Sequence, residues 1–253
     1  MLIDLKVAKV GSLVLEVEDE ELAHFLSSKA PSSVINVWKE EIYFNIPFSK
    51  EFAETVAYVH KGDVAYWEPG PALCVFFGYS QPYTPVAVVG HSISPIHHYY
   101  WVEDRAEVQV SAHKEVFKED YEGIKEVLRK AGYTAAVADM EGGYPVVVAC
   151  KYIEGRRISL ELDVEDYGYY IETEPLYKYS RTAFHVVITE NLTRRLSPFK
   201  YSRVDLNEDG YLCVSACCTR EKELKSAIRE LEEKYLKALD FIESLYSVPM
   251  IEL

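Results

Sequence analysis

The chain has 253 residues, 49 % of them hydrophobic, with a formal net charge of −14. That length and apolar content suffice for one large or two ordinary cores. The acid excess excludes a phosphate-neutralising surface, so nucleic acid and anionic membranes are not expected partners.

No apolar run approaches the roughly 18 residues of a membrane helix. Met1-Leu2-Ile3-Asp4-Leu5-Lys6 has neither the basic head nor the apolar stretch of a signal peptide, so a cytoplasmic protein is expected. The five cysteines, Cys74, Cys150, Cys213, Cys217 and Cys218, are an odd, scattered set and not a disulfide framework. Two Gln and four Asn beside abundant Glu and Lys resemble a thermophile's avoidance of labile amides.

Residues 2–10 and 12–17 read as strands around a turn at Gly11. A short helix follows over about 19–28, with Leu22, Phe25 and Leu26 on one face and Pro31 beyond its end. The pattern then turns to strands. They run through Val34–Val37, Ile42–Ile46, Val56–Val59, Val64–Trp67, Leu73–Phe77 and Val86–Gly90, with turn signals between them. Several short strands with regular turns and one helix predict an all-β closed barrel over residues 1–95.

Several blocks in this region resemble a family of small prokaryotic cyclophilin-like proteins. They are Glu41-Ile42-Tyr43-Phe44, Gly62-Asp63-Val64-Ala65-Tyr66-Trp67-Glu68-Pro69-Gly70, Ala72-Leu73-Cys74-Val75-Phe76-Phe77-Gly78 and Val88-Val89-Gly90. The resemblance implies a cyclophilin barrel with a groove. A true cyclophilin polarises the prolyl amide with an arginine, helping the C–N bond rotate. No arginine lies between Met1 and Asp104. The fold and groove are therefore expected without the activity. Trp38, Tyr43, Tyr66, Trp67, Phe77 and Tyr79 are the groove candidates, although strand alternation sends about half of such residues into the core. No catalytic residue is assigned.

Residues 96–107 read as a linker. Beyond it, residues 108–253 read as an α+β domain with an antiparallel sheet and three helices. Phe117, Tyr121, Ile124 and Leu128 predict a helix over 115–131, stopped at Gly132. Strands follow at Ala135–Ala138, Val146–Ile153, Ile158–Val164 and Gly168–Ile171, with a tight turn at Glu154-Gly155. Phe184, Val187, Ile188, Asn191 and Leu192 share a helical face before Pro198. Strands over 200–206 and 211–217 precede a long helix over 220–246, whose stripe runs from Leu224 to Leu245. This order is similar to type III secretion chaperones and YbjN-like proteins. That likeness implies a protein- or peptide-binding module that dimerises through the C-terminal domain.

Other constellations carry less. Asp205-Leu206-Asn207-Glu208-Asp209-Gly210 opens like a calcium loop, but Ala216 stands where that loop needs its bidentate carboxylate, and a hairpin turn explains it better. His97 and His98 would point opposite ways in an extended linker, so no metal is assigned. Cys213 and Cys217 share a strand face and read as small apolar residues. Glu41, Asp63 and Glu68 could pair across the barrel. No phosphate loop, nucleophile elbow or HExxH is present, and no cofactor is expected. The expectation is a non-enzymatic binding scaffold with a chaperone-like role, the alternative being a divergent prolyl isomerase or other small-molecule enzyme.

Overall fold

The structure, a computed structural model, describes residues 1–114 and 119–246. The chain is largely β. It forms two compact units, the first Met1–Glu161 and the second starting at Leu162. Among the described residues no helix is long and apolar enough to cross a membrane.

In the first unit, β1 (Leu2–Val7) and β2 (Gly11–Val17) form an antiparallel hairpin. Helix α1 (Glu20–Lys29) starts where the Asp19 carboxylate accepts the Leu22 N–H at 2.9 Å, satisfying an orphan donor of the first turn. Leu22, Ala23 and Leu26 are its buried face, and Ala30 ends it in the left-handed conformation.

The strands that follow are β3 (Ser32–Val34), β4 (Asn36–Trp38), β5 (Glu41–Asn45), β6 (Asp63–Trp67), β7 (Ala72–Phe76), β8 (Ala87–Ser92) and β9 (Glu107–Ala112). Neighbours pair antiparallel in the order β4–β5–β7–β6–β8–β2–β1–β9–β3. Only Ile35 separates β3 from β4, and its N–H donates to the Ala106 carbonyl at 2.9 Å. The two end strands of this curled sheet, β3 and β4, are thus consecutive in the chain, residues 32–38. Inside lies the main core, with Ile42 and Phe44 of β5, Leu73 and Val75 of β7, and Val64 and Tyr66 of β6.

The first unit continues through α2 (Glu119–Lys130), β10 (Thr134–Met140), β11 (Tyr144–Ile153) and the start of β12 (Arg156–Glu165). β10 pairs with β11 and reaches β2 at Met140 opposite Gly11. The turn into β12 is the expected one, with Glu154 and Gly155 at positive φ, 51° and 77°.

The second unit holds β13 (Gly168–Thr173), β14 (Tyr177–Lys178), α3 (Ala183–Leu196), β15 (Ser202–Leu206), β16 (Tyr211–Cys218) and α4 (Glu221–Tyr246). β16 pairs with β13, β14 and β15. Leu224, Ala227, Ile228, Leu231 and Tyr235 form the buried stripe of α4. Its Glu230 carboxylate accepts the N–H groups of Lys200, Tyr201 and Ser202, tying the approach to β15 onto the helix.

Several local expectations differ. Residues 96–101, read as linker, form a 3-10 turn (Ile96–Trp101), and 107–112 form β9. Val56–Val59 makes only an isolated bridge, Val56 to Val86. Phe117 and the expected start of its helix lie outside the described residues. On α3 the buried residues are Ile188, Leu192 and Leu196, an i, i+4, i+8 row, while Phe184 and Val187 of the expected face are exposed. Cys213 is buried, but Cys217 is exposed and receives a hydrogen bond from Arg203 at 3.3 Å.

Candidate functional site

Strand alternation builds the site. In β5 and β7, Ile42, Phe44, Leu73 and Val75 turn into the main core, so Glu41, Tyr43, Cys74 and Phe76 turn to the opposite face. In β6 the same rule sends Tyr66 inward and leaves Trp67 on the other side. There, Val59 and Val86, from chain segments laid across the sheet, join Ala65, Cys74 and Phe76 in a second small core. The Gln81 amide pins these segments, accepting from the Val59 N–H at 2.9 Å and donating to its carbonyl at 3.2 Å.

Beside that core is a pocket of about 300 Å³. Trp38, Tyr43, Trp67 and Tyr83 supply aromatic walls, Pro82 and Val86 add apolar surface, and Glu41 and Cys74 complete the lining. The Trp67 indole N–H donates to the Thr84 hydroxyl at 2.8 Å, and its ring lies so close to Gly70 that a Cβ there would sit 2.1 Å away. Trp67 is therefore held from both sides.

Glu41 is 6 % exposed. Burial raises its carboxyl to about 7, against a hydrogen bond from the Cys74 thiol and the charge of Lys39, both of which favour the ionised form. Burial also pushes the Cys74 thiol well above its ordinary value, helped by the Glu41 charge. A thiol so placed is a poor nucleophile. The pocket thus offers aromatic faces and one carboxyl that titrates near neutrality, and its lining contains neither Lys nor Arg.

Of the six groove candidates, Trp38, Tyr43 and Trp67 come together here. Tyr66 is in the main core, 1 % exposed, with its hydroxyl donating to the Phe48 carbonyl at 2.7 Å. Phe77 is also in that core, stacked on Tyr99 with ring centroids 6.0 Å apart. Tyr79 is 81 % exposed and carries the Lys61 ammonium over its ring. Glu41, Cys74 and Tyr83 were not among the candidates. The signal for Glu41 was an acid two residues before Tyr43 in a strand, hence on the same face.

The carboxylates considered as a cross-barrel set do not pair. Asp63 accepts the His60 N–H and Glu68 the Phe52 N–H, each bracing a separate loop. Two arginines outside the barrel strands, Arg105 and Arg157, are also engaged. Arg105 donates to the Asn36 side chain at 3.1 Å. Arg157 is buried and donates to the carbonyls of Ser92 and Ser94, with its guanidinium packed where a Cβ on Gly62 would sit.

A second polar cluster is held by the 3-10 turn. His97 Nε2 lies 3.4 Å and His98 Nε2 2.6 Å from the two oxygens of Glu161. Adjacent residues in this turn are about 120° apart rather than opposite, since it has about three residues per turn. Both rings therefore reach one carboxylate, which corrects the expectation of divergent side chains. Burial would raise the Glu161 carboxyl, but the charge of His98 and hydrogen bonds from both rings outweigh it and hold it well below the usual range. The three donor atoms lie within 4.8 Å of one another, and two imidazoles with a carboxylate are a donor set zinc accepts. These are the described residues best arranged to hold a metal.

Residues 1–111 match the family model described as cyclophilin-like. The match ends at β9, the strand that joins β1 to β3. Among solved structures, the chain is similar to a hypothetical protein from Archaeoglobus fulgidus, 28 % identical, over 44 % of this chain and 93 % of that one, with a TM-score of 0.37. It is also similar to McbB, solved in complex with tryptophan, at 18 % identity and a TM-score of 0.38, over 51 % of this chain and 53 % of that one. The chain thus spans about half the length of McbB. No curated protein matches. None of these matches supports the type III secretion chaperone or YbjN-like resemblance read for residues 108–248.

Proposed function

We propose that the cyclophilin-like part is a closed barrel that serves as a binding scaffold rather than a prolyl isomerase, with the pocket of Trp38, Tyr43 and Trp67 as its ligand site. One observation carries this reading: an apolar, aromatic-walled pocket of about 300 Å³ with a single ionisable acid and no cationic group in its lining. Small-molecule sites have this make-up, mostly apolar walls and a few placed polar groups, at the lower end of their usual size of roughly 300–1,000 Å³.

Prolyl isomerisation needs a donor aimed at the amide. No arginine precedes Arg105 in the sequence, and the guanidiniums of Arg105 and Arg157 are committed to Asn36 and to backbone carbonyls. Five free cysteines suit a reducing, cytoplasmic setting.

The test is a titration with cyclohexanol followed at the indole N–H resonances of Trp38, Trp67 and Trp101. Saturable shifts at Trp38 and Trp67, with Trp101 unmoved, are expected. No shift, or uniform shifts at all three, would remove the pocket as a ligand site.

A further inference from the structure

We infer that this pocket takes a small alkylammonium cation, held by the faces of Trp38, Tyr43, Trp67 and Tyr83 and by the Glu41 carboxylate. The inference rests on the reading of the pocket as a ligand site and adds the charge and size of what enters it.

Aromatic rings carry negative faces, and several of them around one small space favour a cation whose charge is spread over methyl groups. Four of the lining residues are aromatic. One of these rings already takes an ammonium: Lys39 Nζ lies 4.1 Å from the Trp38 ring centroid. Trp67 is preorganised by Thr84 and by its contact with Gly70, so little ordering is left for the ligand to impose. Tyr83, 86 % exposed, stands at the rim where it can cover an occupant.

Charge supplies the second argument. Glu41 is buried, yet no basic residue lines the pocket to neutralise it. The groups that act on it are the Cys74 thiol from β7 and the Lys39 ammonium from the β4–β5 turn, and together they do not overcome burial, which leaves the carboxyl at about 7. A ligand cation adds, inside the pocket, to the counter-charge that Lys39 supplies only from outside its lining, in a water-poor site where such a pair counts for more than in bulk water. A neutral apolar ligand would leave the carboxyl protonated and unused. An anionic ligand would meet the carboxylate and the ring faces together. The volume of about 300 Å³ holds a headgroup with a short chain, and not a nucleotide-sized cofactor.

The test compares choline with its neutral carbon isostere, 3,3-dimethylbutanol, by calorimetric titration of the full chain. At pH 8 choline should bind at least about tenfold more tightly than the isostere. Lowering the pH to 6 should weaken choline by about tenfold, as Glu41 takes up its proton, and leave the isostere unchanged. Glu41→Gln should reduce the choline preference to below about threefold while the isostere still binds. Tyr83→Ala, at an exposed position that folding does not depend on, should weaken choline several-fold. An isostere that binds as tightly as choline would overturn the cation while leaving the pocket as a ligand site. Full choline preference in Glu41→Gln would overturn the role given to the carboxylate. Binding of neither compound would overturn this inference together with the pocket.

Discussion

Glu41 of β5 and Cys74 of β7 are neighbours on one face of the sheet and line the same pocket. In the register, Glu41 faces Phe76 and Cys74 faces Tyr43, so the two meet on the diagonal of one sheet face. A thiol is a weak partner for a carboxylate, and burial outweighs it in setting the Glu41 titration.

That sets a pH dependence. The folded carboxyl stands at about 7, above its ordinary value of 4.5. Between those values the folded protein keeps a proton that the unfolded chain has lost, so stability falls as pH rises and levels off above about 7. The loss is on the order of 3 kcal/mol. Urea unfolding at pH 5 and pH 8 should show it for the wild type, and Glu41→Gln should remove this component.

Glu161 behaves with the opposite sign. Burial works against its charge, but His98 and His97 hold it below the ordinary carboxylate range. Its contribution is present above about 4.5 and is lost as pH falls below that value. Glu161→Ala leaves two buried imidazoles without their carboxylate and should cost about 3–5 kcal/mol at pH 7 by chemical denaturation.

Gly62 and Arg157 should be coupled. Gly62 has φ +87°, and a Cβ there would sit 2.8 Å from the guanidinium. Arg157 cannot yield freely, because both its terminal nitrogens are bonded to carbonyls. Gly62→Ala should cost about 2 kcal/mol or more, part of it backbone strain. In an Arg157→Ala background the cost should shrink to the backbone component, as a double-mutant cycle would show.

Gly70→Ala tests how Trp67 is positioned. The new Cβ would meet the indole ring at 2.1 Å, while Gly70 has no need of positive φ. The ring should shift into the pocket and weaken ligand binding by about tenfold, roughly 1.4 kcal/mol. Titration of the variant with the same small probes checks this.

Much of the strand pattern was legible because alternation and turn residues are local properties. β5 to β8 follow directly from runs such as Ile42–Asn45 and Val64–Trp67. Alternation also separates Tyr66 from Trp67, but the sequence does not say which parity faces the core, so all six aromatics stood as equal candidates. Tyr83 and Pro82 come from an irregular segment with no period to read. Glu107-Val108-Gln109-Val110 does alternate, but the run is short and straddles the boundary read at 107/108, and its partners lie about a hundred residues earlier in β1 and in β3. The meeting of His97 and His98 at Glu161 depends on a 3-10 turn whose aromatic-rich sequence has no cap signature.

Whether residues 1–111, proposed to bind a ligand, also isomerise prolyl bonds can be measured directly. The direct measurement is a protease-free assay of prolyl cis–trans exchange on short X-Pro peptides, with folded protein verified by circular dichroism and a heat-denatured control. Exchange at the uncatalysed rate, tens to hundreds of seconds at 25 °C, is expected. Acceleration proportional to folded protein, and lost in Trp67→Ala, would contradict it and place a catalytic electrophile in the pocket.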